Sequence, residues 1–199
     1  MTDQRTAPPV TVLGVDPGLA RCGVAVLEGP ARRARARTAG VLRTAATQAL
    51  PQRLAQLHAE LGALLARHAP DVVAIEKVVF NANVTNAISV GQAAGVVLLA
   101  AAQAEVAVVE YSPSQVKATV AGAGDADKRQ VGFMVAAALG RSGPVRPADA
   151  ADALALALCH LQRSGEGAAS GPAPRLARAM ARDQAGAPVV QPAGEGRDA

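Results

Sequence analysis

Acidic residues occupy three places in this chain where the surrounding sequence is apolar. Asp16 ends the run Val12-Leu13-Gly14-Val15, Glu76 ends Val72-Val73-Ala74-Ile75, and Asp149 and Asp152 interrupt Ala148 to Leu154. A carboxylate at the end of a buried strand is costly unless it is paired, hydrogen-bonded or metal-bound. Carboxylates drawn within a few ångströms of one another repel, so such a set needs positive charge among them. A divalent metal pair answers that need, because hard cations prefer carboxylate oxygen. Two such ions about 3.5–4 Å apart hydrolyse phosphodiesters without a Ser, Cys or His nucleophile.

Each acid also has a plainer explanation. Asp16-Pro17-Gly18 suits a tight turn, and Asp149 and Asp152, three apart on one helical face after Pro147, could complement a helix dipole. The dipole explanation is stronger for Asp149 than for Asp152, which lies further into the helix. Glu76 has no such excuse, since Lys77 points to the opposite face of an extended chain. His160 lies two turns beyond Asp152, too far to complete the same site.

The elements that must position these acids follow from periodicity. Val10–Val15 and Cys22–Leu27 read as strands joined by a short loop, hence an antiparallel hairpin. A third strand is expected over Arg35–Leu42, where Arg32, Arg33, Arg35 and Arg37 suit a charged, solvated edge. Leu50, Leu54, Leu57, Leu61, Leu64 and Leu65 recur at helical spacing, with His58 and His68 off the stripe. Val72–Ile75 is continuous enough to be buried on both faces. A long helix over Asn86–Gln103 carries Gly91 and Gly95 four apart, a spacing that admits another backbone or a second subunit. A strand over Val106–Val109 and helices over Pro113–Val120, from about Asp127, and over Pro147–His160 complete the order. This is an α/β arrangement, a mixed sheet with helices on both faces. In such sheets, sites form beyond strand ends, where Asp16 and Glu76 fall.

Composition narrows the class. The 199 residues suffice for one core, expected over residues 10–163 between a flexible 1–9 and a tail, 164–199, whose Gly, Ala, Pro, Ser and Arg composition without periodicity predicts disorder, apart from a short helical turn near Arg175–Arg182. Phe80, Tyr111 and Phe133 are the whole aromatic set, so each ring calls for a reason. A net charge of +4 is compatible with a polyanionic partner. Cys22 and Cys159 lack metal-ligand spacing and read as buried thiols. No apolar run reaches the roughly 18 to 20 residues of a membrane span, and no signal peptide is evident, so a cytoplasmic location is expected.

These segments resemble the RuvC family of Holliday-junction resolvases over about Val10–Gln162. The residues that carry the likeness are Gly14-Val15-Asp16-Pro17-Gly18, Ala74-Ile75-Glu76-Lys77-Val78, Gly91-Gln92-Ala93-Ala94-Gly95-Val96, Ser114-Gln115-Val116-Lys117, Gly122 and Gly124 with Lys128, and Ala148 to Ala155. The resemblance implies an RNase H-like fold with a five-stranded mixed sheet, and a homodimer that nicks four-way junction DNA to give 5′-phosphate and 3′-hydroxyl ends. It implies Asp16, Glu76, Asp149 and Asp152 as catalytic acids holding two Mg²⁺ per subunit, with Mn²⁺ able to substitute. It also implies Lys117 and Lys128 near the DNA and cooperation with the RuvA–RuvB branch-migration complex. Family members insert an aromatic into the junction from the loop after the glutamate. Here Val79 stands three residues after Glu76 and Phe80 follows, so the wedge role moves to Phe80 or is shared, beside Asn81 and Asn83.

Rival readings are a non-cleaving junction-binding protein, a YqgF-like resolvase of the same fold, and an actin-like ATP-binding enzyme. The last needs a second domain for which this chain has no room.

Overall fold

A computed structural model describes residues 9–78 and 84–166. Three antiparallel strands open the chain: β1 (Thr11–Asp16), β2 (Arg21–Glu28) and β3 (Arg35–Arg43). Then follow α1 (Leu50–His68), β4 (Val72–Glu76), α2 (Val84–Gln103), β5 (Ala107–Tyr111), α3 (Pro113–Ala121), α4 (Lys128–Ala138) and α5 (Ala148–Glu166). The sheet has five strands in the order β3-β2-β1-β4-β5, with β4 parallel to both β1 and β5. The expected mixed sheet and the expected edge position of the arginine-bearing strand are both present. On that edge Arg37 pairs with Glu28 of β2.

The period of two along each strand separates two cores. On β1, Val12 faces a cluster built with α3, α4 and α5, whereas Leu13 and Val15 face a cluster built with α1 and α2. β4 alternates in the same way: Val72 and Ala74 join the first cluster, Val73 and Ile75 the second. All four are buried, as a central strand flanked by two helical layers requires.

The α5 layer sits unusually close to the sheet, and glycine permits it. A Cβ built on Gly14 would stand 2.0 Å from the Ala153 carbonyl oxygen, and one on Gly23 would stand 2.1 Å from that of Asp149. Opposite them α5 presents Ala150, Ala153 and Ala157, all buried and spaced so that they share a seam. Tyr111 on β5 and His160 on α5 fasten the far part of this layer through a 2.8 Å hydrogen bond between the Tyr hydroxyl and His160 Nδ1. His160 is thus committed to packing, as its distance from Asp152 in the sequence suggested.

Several boundaries differ from the periodicity. α5 runs through Glu166, past the expected helix end at His160 and three residues into the tail expected to be disordered from residue 164, and β5 extends to Tyr111. Leu50, counted in the apolar stripe of α1, is exposed because it is the first residue of the helix, while His58 and His68 are half-buried, His58 against Gln103 at 2.7 Å. Gly91 and Gly95 meet nothing within 4 Å of a built Cβ, so no internal layer approaches them. Nearby Ile88, Leu98 and Leu99 are exposed on α2, Leu99 by 52%. Both cysteines are free and buried, and burial pushes the Cys22 thiol up to about 12. Residues 1–8, Phe80, Asn81, Asn83 and the rest of the expected tail lie outside the described residues.

The glycine seam gives a direct test. We expect Gly14→Ala to lower unfolding free energy by about 1–3 kcal/mol, the usual range for overpacking. Gly62→Ala, in the interior of α1 with open space around its Cβ, should be neutral or stabilising by up to about 1 kcal/mol. Urea denaturation of the two variants compares them, and equal effects would remove the seam argument.

Candidate active site

Strand parity brings the acids to one side. Residues 12, 14 and 16 of β1 share a face, as do 72, 74 and 76 of β4, and that face is covered by α5. β1 and β4 are parallel neighbours, with Val15 opposite Ile75, so Asp16 and Glu76 leave the carboxyl ends of adjacent strands side by side. β2 contributes from the same end, because it runs antiparallel and Gly23 lies opposite Asp16. The close approach at Gly23 then delivers Asp149 of α5 to this edge, and Asp152 follows one turn later.

The electrostatics record this crowding. The Asp16 carboxyl is pushed from the ordinary 3.8 to about 7, first by burial and then by the charges of Asp152 and Glu76. Glu76 is raised as well, by burial and by Asp152, with Lys128 and Lys117 opposing. The two helix acids have cationic partners. Lys128 Nζ, at the start of α4, donates to Asp152 Oδ2 at 2.8 Å, and Arg21 Nε, at the start of β2, donates to Asp149 Oδ2 at 3.1 Å. Arg21 forms an ion pair with Asp149 through its guanidinium and holds that carboxyl below its usual range.

Lys128 is placed by local chemistry. Asp127 caps α4 through a reciprocal pair of bonds with Gln130, each 2.8 Å, which sets Lys128 as the first helical residue. Its side chain is 79% exposed although it reaches Asp152. Lys117 on α3 is half-buried and takes part in no ion pair among the described residues. Lys77 is exposed, in keeping with its place on the other face of the strand.

The four expected acids therefore lie at one edge of the sheet. Arg21 escaped the sequence reading, since only the antiparallel return of β2 reveals that it meets Asp149. Among the described residues no three His, Cys, Asp or Glu side chains are drawn together tightly enough to ligate a single ion. The donor set is nonetheless all carboxylate oxygen, and Arg21 and Lys128 occupy two of those carboxylates as positive partners. An oxygen-preferring cation fits such a set.

The RuvC family profile, described as crossover junction endodeoxyribonuclease RuvC, matches residues 12–160. This chain belongs to the RuvC family. It is 52% identical to the crossover junction endodeoxyribonuclease RuvC of Salinispora arenicola, over 77% of this chain and 89% of that protein. With the same-named protein of Frankia alni it shares 51% identity over 92% of this chain and 88% of the other. Among solved structures, T. thermophilus RuvC in complex with Holliday junction substrate superimposes with a TM-score of 0.76 at 38% identity, covering 79% of this chain and 96% of that one. The RNase H-like architecture expected from the sequence is the one these relatives share.

Asp16 makes the metal-free site sensitive to pH. Its folded pKa lies above the ordinary value, so its contribution to stability is complete below about 3.8 and is lost as pH rises through about 7. In EDTA, we expect Asp16→Asn to melt above the wild type by a few degrees at pH 8 and to converge with it near pH 4. Paired melting curves across that range check this, and a gap independent of pH would refute it.

Proposed function

We propose that this RuvC-family nuclease resolves four-way DNA junctions in recombination and repair by paired, symmetric hydrolysis of two phosphodiesters, leaving 5′-phosphate and 3′-hydroxyl nicks. Support comes from family membership and from one observation above the rest: Asp16, Glu76 and Asp152 crowd together at one partly buried edge, where burial first and the neighbouring charges second raise Asp16 to about 7. A purely junction-binding protein has no use for four acids at one edge of a DNA-facing site.

In this reading Asp16, Glu76, Asp149 and Asp152 would hold a divalent pair, Mg²⁺ in the cell with Mn²⁺ able to replace it. When bound, the pair supplies an activated water and stabilises the leaving 3′-oxygen. The chain's own residues do the rest. Asp16 and Glu76 anchor the site on the rigid ends of β1 and β4, and Asp149 and Asp152 add the helix side. Lys128 and Lys117 draw the DNA phosphates toward the acids, and the exposure of Lys128 lets its ammonium exchange Asp152 for a phosphate. Arg21 keeps Asp149 ionised and aimed.

Phe80 follows Glu76 by four positions in the sequence and is the candidate wedge at the junction centre, with Asn81 and Asn83 as neighbouring DNA contacts. A homodimer would present one acidic site to each of two like strands, and the uncovered face of α2 at Ile88, Gly91, Gly95, Leu98 and Leu99 suits its interface. Cooperation with a RuvA–RuvB motor and a cytoplasmic location complete the proposal. Among the described residues no helix is long and apolar enough to cross a membrane.

Nicking assays on synthetic four-way junctions against linear duplex, in Mg²⁺, Mn²⁺ and Ca²⁺, test this. Asp16→Asn, Glu76→Gln and Asp152→Asn should each lower cleavage by at least about a hundredfold while leaving junction binding in Ca²⁺ in place, and Asp149→Asn should lose part or all of it. Unchanged cleavage by the first three would disprove the metal assignment. Phe80→Ala should bind junctions yet cut them poorly, and a variant that cuts normally would eliminate the wedge.

A further inference from the structure

A groove of about 950 Å³ lies between α4 and the connection that leads into α5. Lys128 and Asp152 line it, so it opens directly beside the acid cluster. Its walls carry Phe133 and Arg129 of α4, one helical turn apart, and Arg141 and Arg146 of the connection. Phe133 is 70% exposed, in a chain with only two Phe, one Tyr and no Trp. Its ring adds nothing to either core.

The charges around the ring have one sign to offer. Arg129, Arg141 and Arg146 are exposed and form no ion pair among the described residues. The two acids of the lining are occupied, Asp127 by its capping bond to Gln130 and Asp152 by Lys128. An apolar peptide laid on Phe133 would leave three guanidinium groups without partners. A ligand with flat apolar faces and regularly spaced negative charge satisfies both features.

We propose that this groove carries the DNA strand adjoining the cut phosphate, with Arg129, Arg141 and Arg146 on its phosphates and Phe133 stacked on a base. The assignment rests on the junction-nuclease reading and extends it, giving the substrate strand a path away from the acids.

Because the chain has no Trp, Phe133→Trp supplies a single fluorescent reporter at the stacking position. Its emission should be quenched when a synthetic four-way junction is added in Ca²⁺, and junction affinity should be retained. Phe133→Ala and Phe133→Leu should both weaken junction binding about tenfold, since Leu keeps apolar bulk without a stacking face. Replacing Arg129, Arg141 and Arg146 together by Ala should reduce the slope of log affinity against log salt by about 2. Unquenched emission, a Leu variant as tight as the wild type, or an unchanged salt slope in an enzyme that still cuts junctions would overturn the groove assignment alone. A wild-type chain that neither binds nor cuts four-way junctions would overturn the nuclease reading together with it.

Discussion

The close contact between α5 and the backbone of β1 and β2 is the constraint on which the site depends. Two of the four acids ride on a helix and two on strands, so their separation is fixed by how deeply that helix seats. At Gly14 and Gly23 there is no room for even one methyl group, and α5 answers with an alanine seam. Dense packing of this kind has few alternative positions, which makes it a good gauge for setting charged groups against one another. Like charge pushes the other way, and the Asp152 and Glu76 charges add to the burial that lifts the Asp16 carboxyl. Packing, rather than any attraction among the acids, holds them at one edge.

Positive side chains moderate that repulsion without being buried. Arg21 and Lys128 reach inward from the start of β2 and the start of α4, and both remain substantially exposed. Their contribution to stability is therefore small, in line with solvent-exposed pairs generally. Their value lies in position: each meets a helix acid from an element that is not α5, tying the acid to the rest of the fold.

Much of this was legible in the sequence because short-range rules govern it. The alternation of Val12 to Asp16 and of Val72 to Glu76 sets both strand and face, and the leucine spacing of α1 sets its buried stripe. The acids stood out because charge at the end of an apolar run is rare without cause. What remained hidden depends on partners distant in the chain. Arg21 and Asp149 are 128 positions apart, and no local pattern joins them. Gly23 looked like any strand glycine until α5 was seen to rest on it. Phe133 was noticeable as a scarce ring, but only the folding of the connection against α4 shows it beside three arginines. The end of α5 was missed for another reason: Ser164 and Gly165 read as a change of composition, whereas the helix runs on through Glu166, with the Ser164 hydroxyl bonded back to the His160 carbonyl at 2.7 Å.

The division of the interior into two cores has a further consequence. Buried side chains of α1 and α2 pack on the reverse of the sheet, the face opposite the one that carries Asp16 and Glu76. Mutational drift there can trade Leu for Val or Ile for Leu, shifting melting temperature while leaving the chemical geometry where it was. On the α5 side the tolerance is nearly nil, since at Gly14 and Gly23 only a hydrogen atom fits. The protein thus has a hard front and a soft back, and its capacity to adapt without losing its chemistry resides in the half that does none.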